Sequence, residues 1–124
     1  MSMKFYNCAH CGNVVVKTVD SGVPVVCCGE KMQLLEANTV EASVEKHVPV
    51  VTQIRQGELH IEVGSQPHPM TPEHHIAFVC VETDKGYSIT EPKGSPCADI
   101  CIGQDTPVAI YEYCNLHGLW KKEI

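Results

Sequence analysis

The sequence predicts a mainly β protein in two pieces, a small metal-stapled N-terminal segment followed by an antiparallel sandwich. Short runs rich in Val, Ile and Thr recur along the chain without a convincing helical period. Eight Pro and nine Gly separate them at turn-like intervals. Four cysteines fall in two pairs within residues 1–36, a segment too short to bury a self-sufficient apolar core.

Within residues 1–36, "VVVKTV" (14–19) and "VPVV" (23–26) flank a "DSG" turn and predict a hairpin; "MQLLE" (32–36) predicts one more short strand. "ANTVEASV" (37–44) reads as a connection opening the second piece, 37–124. Strands are then expected at 48–54, 58–63, 75–83, 87–90, 98–102 and 108–113, with "QG", "DKG", "EPKGSP" and "GQDTP" as turns. In "ELHIEV", Leu59, Ile61 and Val63 alternate with polar neighbours, the mark of a half-buried strand. Regularly spaced short strands of this kind indicate an antiparallel sandwich of immunoglobulin-like type.

A formal charge of −6 with nine Lys and Arg argues against a nucleic-acid partner, because phosphate binding needs a basic face. No apolar run approaches the roughly 18 residues of a membrane span, and "MSMKFYNCAH" lacks the apolar core of a signal peptide. No membrane association and a cytoplasmic location are therefore expected. In a reducing compartment, eight cysteines read as metal ligands or buried thiols and not as a disulfide framework.

Cys8 and Cys11 form a CxxC, and Cys27 and Cys28 stand side by side after fifteen intervening residues. Four soft thiolates from two turns make a tetrahedral sulfur site suited to zinc or iron, and the spacing leaves that choice open. Glycine follows each pair (Gly12, Gly29), permitting tight turns with N–H groups near sulfur. Haem attachment fails because Gly12 stands where a histidine is needed, and no βαβ pattern supports a thioredoxin-like pair. A structural zinc ribbon would close with a second CxxC, from which the adjacent pair departs.

Near the C-terminus, "EYCNLHGLW" carries Cys114 and His117 at metal-ligand spacing. His47 in "EKHVPV" lies at the mouth of the first sandwich strand. His68 is held extended between Pro67 and Pro69, so its ring is pre-positioned. His74 and His75 on an extended segment face opposite sides, so only one can meet a shared centre. Any one of these histidines alone reads as a surface or hydrogen-bonded core residue. Cys114 alone reads as a buried thiol, or as a nucleophile with His117 as base, although no nucleophile elbow or orienting acid accompanies it.

Taken together, "CAHCG", "VCCGEKM", "EKHVPV", "HPM…EHH" and "EYCNLHGLW" resemble the desulfoferrodoxins, the two-iron form of superoxide reductase, over essentially the full length. The resemblance implies a desulforedoxin-like, rubredoxin-like domain (1–36) holding one iron through Cys8, Cys11, Cys27 and Cys28. It implies a catalytic immunoglobulin-like domain (37–124) holding a second iron through His47, His68, His74 and His117 in a plane, with Cys114 axial. Family spacing selects His74 over His75. One-electron reduction of superoxide to hydrogen peroxide in an anaerobe is the implied activity, with one iron position open to substrate. Lys46 would draw in superoxide and help deliver water for protonation, and Glu45 would ligate the oxidised iron; without the resemblance, "EK" reads as a solvated loop pair. The tetrathiolate iron would be an electron-transfer centre. Rubredoxin or a similar donor and a homodimer are implied as partners. The competing reading is a non-catalytic zinc ribbon joined to a binding sandwich. Cys80, Cys97 and Cys101 match no motif and are expected to be buried thiols; His10 and His60 are expected at the surface.

Overall fold

The structure is a computed structural model of the chain, described over residues 3–38, 47–64 and 68–124. It divides into two compact units, Met1–Glu36 and Ala37–Ile124. The described residues contain twelve strands, β1 (Phe5–Asn7), β2 (Val14–Val16), β3 (Val26–Cys27), β4 (Glu30–Lys31), β5 (Gln33–Leu34), β6 (Pro49–Arg55), β7 (Glu58–Val63), β8 (Ile76–Thr83), β9 (Gly86–Thr90), β10 (Cys97–Cys101), β11 (Pro107–Cys114) and β12 (Gly118–Glu123). The predicted fold class holds: strands build a small cysteine-bearing unit and an antiparallel sandwich. No helix among the described residues is long and apolar enough to cross a membrane.

In the first unit, β2-β1-β5 form one sheet and β3-β4 a separate two-stranded ribbon. The expected hairpin between the 14–19 and 23–26 runs does not form. β2 pairs with β1 across the Cys8–Cys11 turn, and β3 pairs with β4. The reason lies at Cys28 and Gly29, which both have positive φ (53° and 77°). Two such residues between Cys27 and its cross-strand partner Glu30 are what a two-residue type I′ hairpin loop requires. The adjacent cysteine pair is thus a turn device, with Cys28 in a conformation unfavourable to a side chain. Only Phe5, Cys8 and Met32 are buried apolar residues among those described in this unit. Three buried apolar side chains are few for 36 residues, so this unit needs a staple, for which its four clustered cysteines are placed.

The second unit packs the sheet β10-β7-β6 against β12-β11-β8-β9, all neighbours antiparallel. Leu59, Ile61 and Val63 of β7 and Ala98 and Ile100 of β10 share a core with Val79 and Val81 of β8 and Ile110 and Cys114 of β11. Alternation in β7 follows the predicted pattern. At the β6–β7 turn a Cβ on Gly57 would collide with the Gly103 carbonyl oxygen, and Gly57 also has φ 80°, so only glycine fits.

The expectation that Cys80, Cys97 and Cys101 are all buried holds only for Cys80. Cys97 is half-buried and Cys101 exposed, because β10 turns Ala98 and Ile100 inward and its odd positions to solvent.

Candidate metal centres

In the first unit the four cysteine sulfurs lie within 4.8 Å of one another. Cys11 Sγ is 3.6 Å from Cys27 Sγ, and Cys27 Sγ is 4.0 Å from Cys28 Sγ. Metal–sulfur bonds of about 2.3 Å in a tetrahedron put sulfurs about 3.8 Å apart, so the cluster fits a single metal ion. Gly12 (φ 83°) closes the first turn by donating its N–H to the Cys8 carbonyl at 3.0 Å. Backbone N–H groups of Cys11 and His10 lower the Cys8 pKa to about 6, while the neighbouring thiols Cys8, Cys11 and Cys27 push Cys28 up to about 12. Four crowded thiols resist full ionisation without a cation among them. Asn13, unmarked in the sequence reading, donates its amide to Cys27 Sγ at 3.6 Å.

The second cluster sits at one end of the sandwich, where strand ends gather loops. His47 stands two residues before β6, His68 and His74 come from the segment before β8, and Cys114 ends β11. Asn115, Leu116 and His117 form a three-residue loop to β12, for which Gly118 (φ 79°) supplies the left-handed residue. "EYCNLHG" is therefore a strand end and its hairpin turn.

Four imidazoles close a ring in the order His47, His68, His74, His117. Successive centroids are 4.9, 4.7, 5.1 and 4.8 Å apart and successive planes meet at 80°, 77°, 85° and 86°. Imidazole nitrogens about 2.1 Å from a common ion would place neighbouring ring centres of a square about 4.6 Å apart. Ligand atoms of His47, His74, Cys114 and His117 lie within 4.8 Å of one another; His68 falls outside that mutual group but sits edge-on to both His47 and His74. His68 is buried, its Nδ1 lies 2.8 Å from the Pro69 carbonyl oxygen, and its Nε2 has no hydrogen-bond partner. With Nδ1–H donated to that carbonyl, Nε2 carries the lone pair that a cation would take up. Burial, with the neighbouring imidazoles adding to it, lowers the His68 pKa and favours the neutral, ligating form. Burial raises the Cys114 thiol, opposed by the N–H groups of Leu116 and His117. Cys114 Sγ is 3.9 Å from His117 Nδ1. Five donors exceed the four of a closed structural zinc site and suit a metal of higher coordination number with a position left over.

His75 is not in the cluster; its Nδ1 lies 3.0 Å from the Thr71 carbonyl oxygen. Glu45 and Lys46 lie outside the described residues. His10 is exposed and pairs with Glu30 at 3.1 Å, whereas His60 is half-buried between Asp99 and Glu62.

Three neighbours of the centre escaped the sequence reading. Trp120 stacks on His47 and donates its indole N–H to the His117 carbonyl at 3.1 Å. Asn115 hydrogen-bonds the chain beside His74. Glu112, two residues before Cys114 on β11, is wholly buried with neither carboxylate oxygen hydrogen-bonded; burial pushes its pKa to about 9. Asn115 and the single tryptophan stand beside Cys114 and His117 in the sequence, but nothing there showed what they bond to.

The family model described as desulfoferrodoxin matches residues 39–123, and that described as the desulfoferrodoxin N-terminal domain matches residues 1–35. A desulfoferrodoxin from Nitratidesulfovibrio vulgaris is 42% identical over 123 residues, covering 97% of this chain and 95% of its own length. A superoxide reductase from Thermococcus kodakarensis is 35% identical over 99 residues, covering 64% of this chain and 86% of its own. The crystal structure of the superoxide reductase from Treponema pallidum superposes with a TM-score of 0.82 at 35% identity, covering 99% of this chain and 100% of that one. With both units matched by family models and a relative at 42% identity over nearly the whole length, the chain belongs to the desulfoferrodoxin family.

Proposed function

We propose that this chain is a superoxide reductase, converting superoxide, one electron and two protons into hydrogen peroxide. The observation that carries the reading is the closed ring of four near-perpendicular imidazoles with the Cys114 thiol among them. His47, His68, His74, His117 and Cys114 would hold one iron, and Cys8, Cys11, Cys27 and Cys28 the other. A ferrous ion held by these residues would supply the electron transferred to the substrate anion.

The chain's own groups set the conditions for that chemistry. Four neutral imidazoles and one Cys114 thiolate would leave a divalent ion there with a residual positive charge, which would attract an anion despite the net charge of −6. Burial of His47, His68 and Cys114 excludes bulk water from the donor side of the site. We assign Lys46, next to His47 in sequence, to drawing superoxide in and to ordering the water that delivers protons. Glu45 is assigned to occupying the site once the metal is oxidised. Residues 1–36 form the electron-transfer domain and 37–124 the catalytic domain. A reduced rubredoxin-type donor, a homodimer and a cytoplasmic location complete the reading; they rest on the family resemblance.

Product stoichiometry tests the proposal. Superoxide generated in the presence of the reduced, iron-loaded protein and a reductant should yield hydrogen peroxide without dioxygen. Release of dioxygen in the proportion of a dismutation would overturn it. Zinc at full occupancy in either site of natively sourced protein would overturn that site's assignment.

A further inference from the structure

His74 reaches the imidazole ring from a segment with no strand partner of its own, so something must hold it in place. The segment is stiff internally. Thr71 and His74 exchange backbone N–H···O=C bonds of 2.9 and 3.2 Å, and the Thr71 hydroxyl lies 3.1 Å from the His74 nitrogen and 3.2 Å from its carbonyl oxygen. A stiff turn still needs a joint to the hairpin carrying Cys114 and His117.

The β8–β11 ladder ends at the pair Cys114–Ile76, just after a register shift. Past that pair β11 leaves the sheet to make its loop, and the peptide groups of residues 73–75 lose the strand that would have paired with them. Asn115 takes over. Its backbone N–H donates to the His75 carbonyl at 3.2 Å, its Oδ1 accepts the His75 N–H at 2.8 Å, and its Nδ2 donates to the Glu73 carbonyl at 3.0 Å. The side-chain carboxamide stands in for a peptide group of the departed strand and grips the chain on both sides of His74 without touching the imidazole. Asn115 is exposed, so burial of its own surface does not explain its placement.

We infer that Asn115 is the positioning residue that sets His74 against Cys114 and His117. The inference rests on the reading of this cluster as a metal centre. A ligand held loosely spends time out of register, and an ion bound through it dissociates faster. Replacing Asn115 with alanine removes both side-chain bonds. Aspartate keeps the acceptor for the His75 N–H but sets a carboxylate oxygen against the Glu73 carbonyl, so its defect should be intermediate.

The test uses the full chain loaded with iron, in parent, Asn115→Ala and Asn115→Asp forms. Release of ferrous iron to a chelator and the visible and paramagnetic-resonance spectra of the oxidised imidazole site are recorded; the tetrathiolate absorption of the same molecule is the internal control. Asn115→Ala should release iron from the imidazole site about tenfold faster or more, within the roughly 10–100-fold range seen when an outer partner of a ligand is lost. Its site spectrum should change, the tetrathiolate signal should not, and Asn115→Asp should fall between. Parent-like release and spectra in both variants overturn the inference, as does a lowered unfolding temperature with an unaltered spectrum. If Asn115→Ala does not fold, the Asp variant decides by the same criteria. Parent protein that binds no iron in the imidazole ring overturns the functional reading itself, and the inference falls with it.

Discussion

The indole of Trp120 lies over the imidazole of His47, ring centroids 4.9 Å apart and planes 24° from parallel. The same indole donates its N–H to the His117 carbonyl, so one buried side chain steadies two of the four imidazoles. Since Trp120 is the only tryptophan, its fluorescence reports on this site alone. Adding ferrous iron to metal-free protein should quench that emission, and the Cys28→Ser variant should quench equally. Trp120→Ala should cost about 3–5 kcal/mol of stability by opening a cavity, and Trp120→Phe clearly less because a ring still stacks on His47. Emission indifferent to iron would separate the tryptophan from the metal.

Cys28 joins metal binding to the folding of the first unit. Its left-handed conformation and the few buried side chains around it leave that unit dependent on the cluster. Metal ligation supplies on the order of 10 kcal/mol in small sulfur-stapled folds. Cys28→Ser should therefore abolish the visible tetrathiolate absorption and expose residues 1–36 to proteolysis. The 37–124 unit should stay intact, and its first reaction with superoxide should keep its rate, because substrate meets only the imidazole centre. A slowed first reaction in a protein with an intact second unit would show that the first centre takes part.

The strands that could be read from sequence were those whose side chains alternate. "ELHIEV" shows the pattern and is β7 to the residue. β12 was hidden because "GLWKKE" presents two adjacent buried residues followed by charges, and because its opening glycine belongs to a turn. β1 and β4 are three and two residues long, too short for any period. The failed hairpin of the first unit has a different cause: adjacency in sequence does not name a strand's partner, and the turns at Cys11–Gly12 and Cys28–Gly29 redirect the chain. Donor types could be read from residue identity and spacing. The supports could not, since Asn115 meets His75 across 40 residues and Glu112 differs from any surface glutamate only by its burial.

His60 offers a pH test away from the metals. Its Nδ1 lies 2.5 Å from Asp99 and its Nε2 3.2 Å from Glu62, and the hydrogen bond to Asp99, then that to Glu62, raises its pKa above the ordinary 6.5. A histidine whose folded pKa is raised contributes stability fully present below the unfolded value and lost as pH rises through the folded one. These groups are partly exposed, so the gain is that of a surface pair, under about 1 kcal/mol. His60→Gln should lower the unfolding temperature measurably at about pH 5.5 and hardly at all at about pH 9. A deficit that grows with pH would contradict the pairing.

Substrate capture poses the last problem. The chain carries a formal charge of −6 and superoxide is an anion, so the global field repels it. Rapid reaction then requires a local positive feature at the site mouth, and Lys46, beside His47 in sequence, is assigned that part. Focused fields raise association rates roughly 10- to 1000-fold and fade with added salt. Lys46→Ala should lower the second-order rate with superoxide about tenfold or more, and the remaining rate should lose most of the parent's decline with ionic strength. Glu45→Ala should leave this step unchanged, because Glu45 is assigned to the oxidised site after product has left. Pulse radiolysis of parent and both variants across a salt series separates the two roles. If Lys46→Ala keeps the parent's rate and salt slope, electrostatic capture does not run through this lysine, and the attraction must come from the metal centre itself.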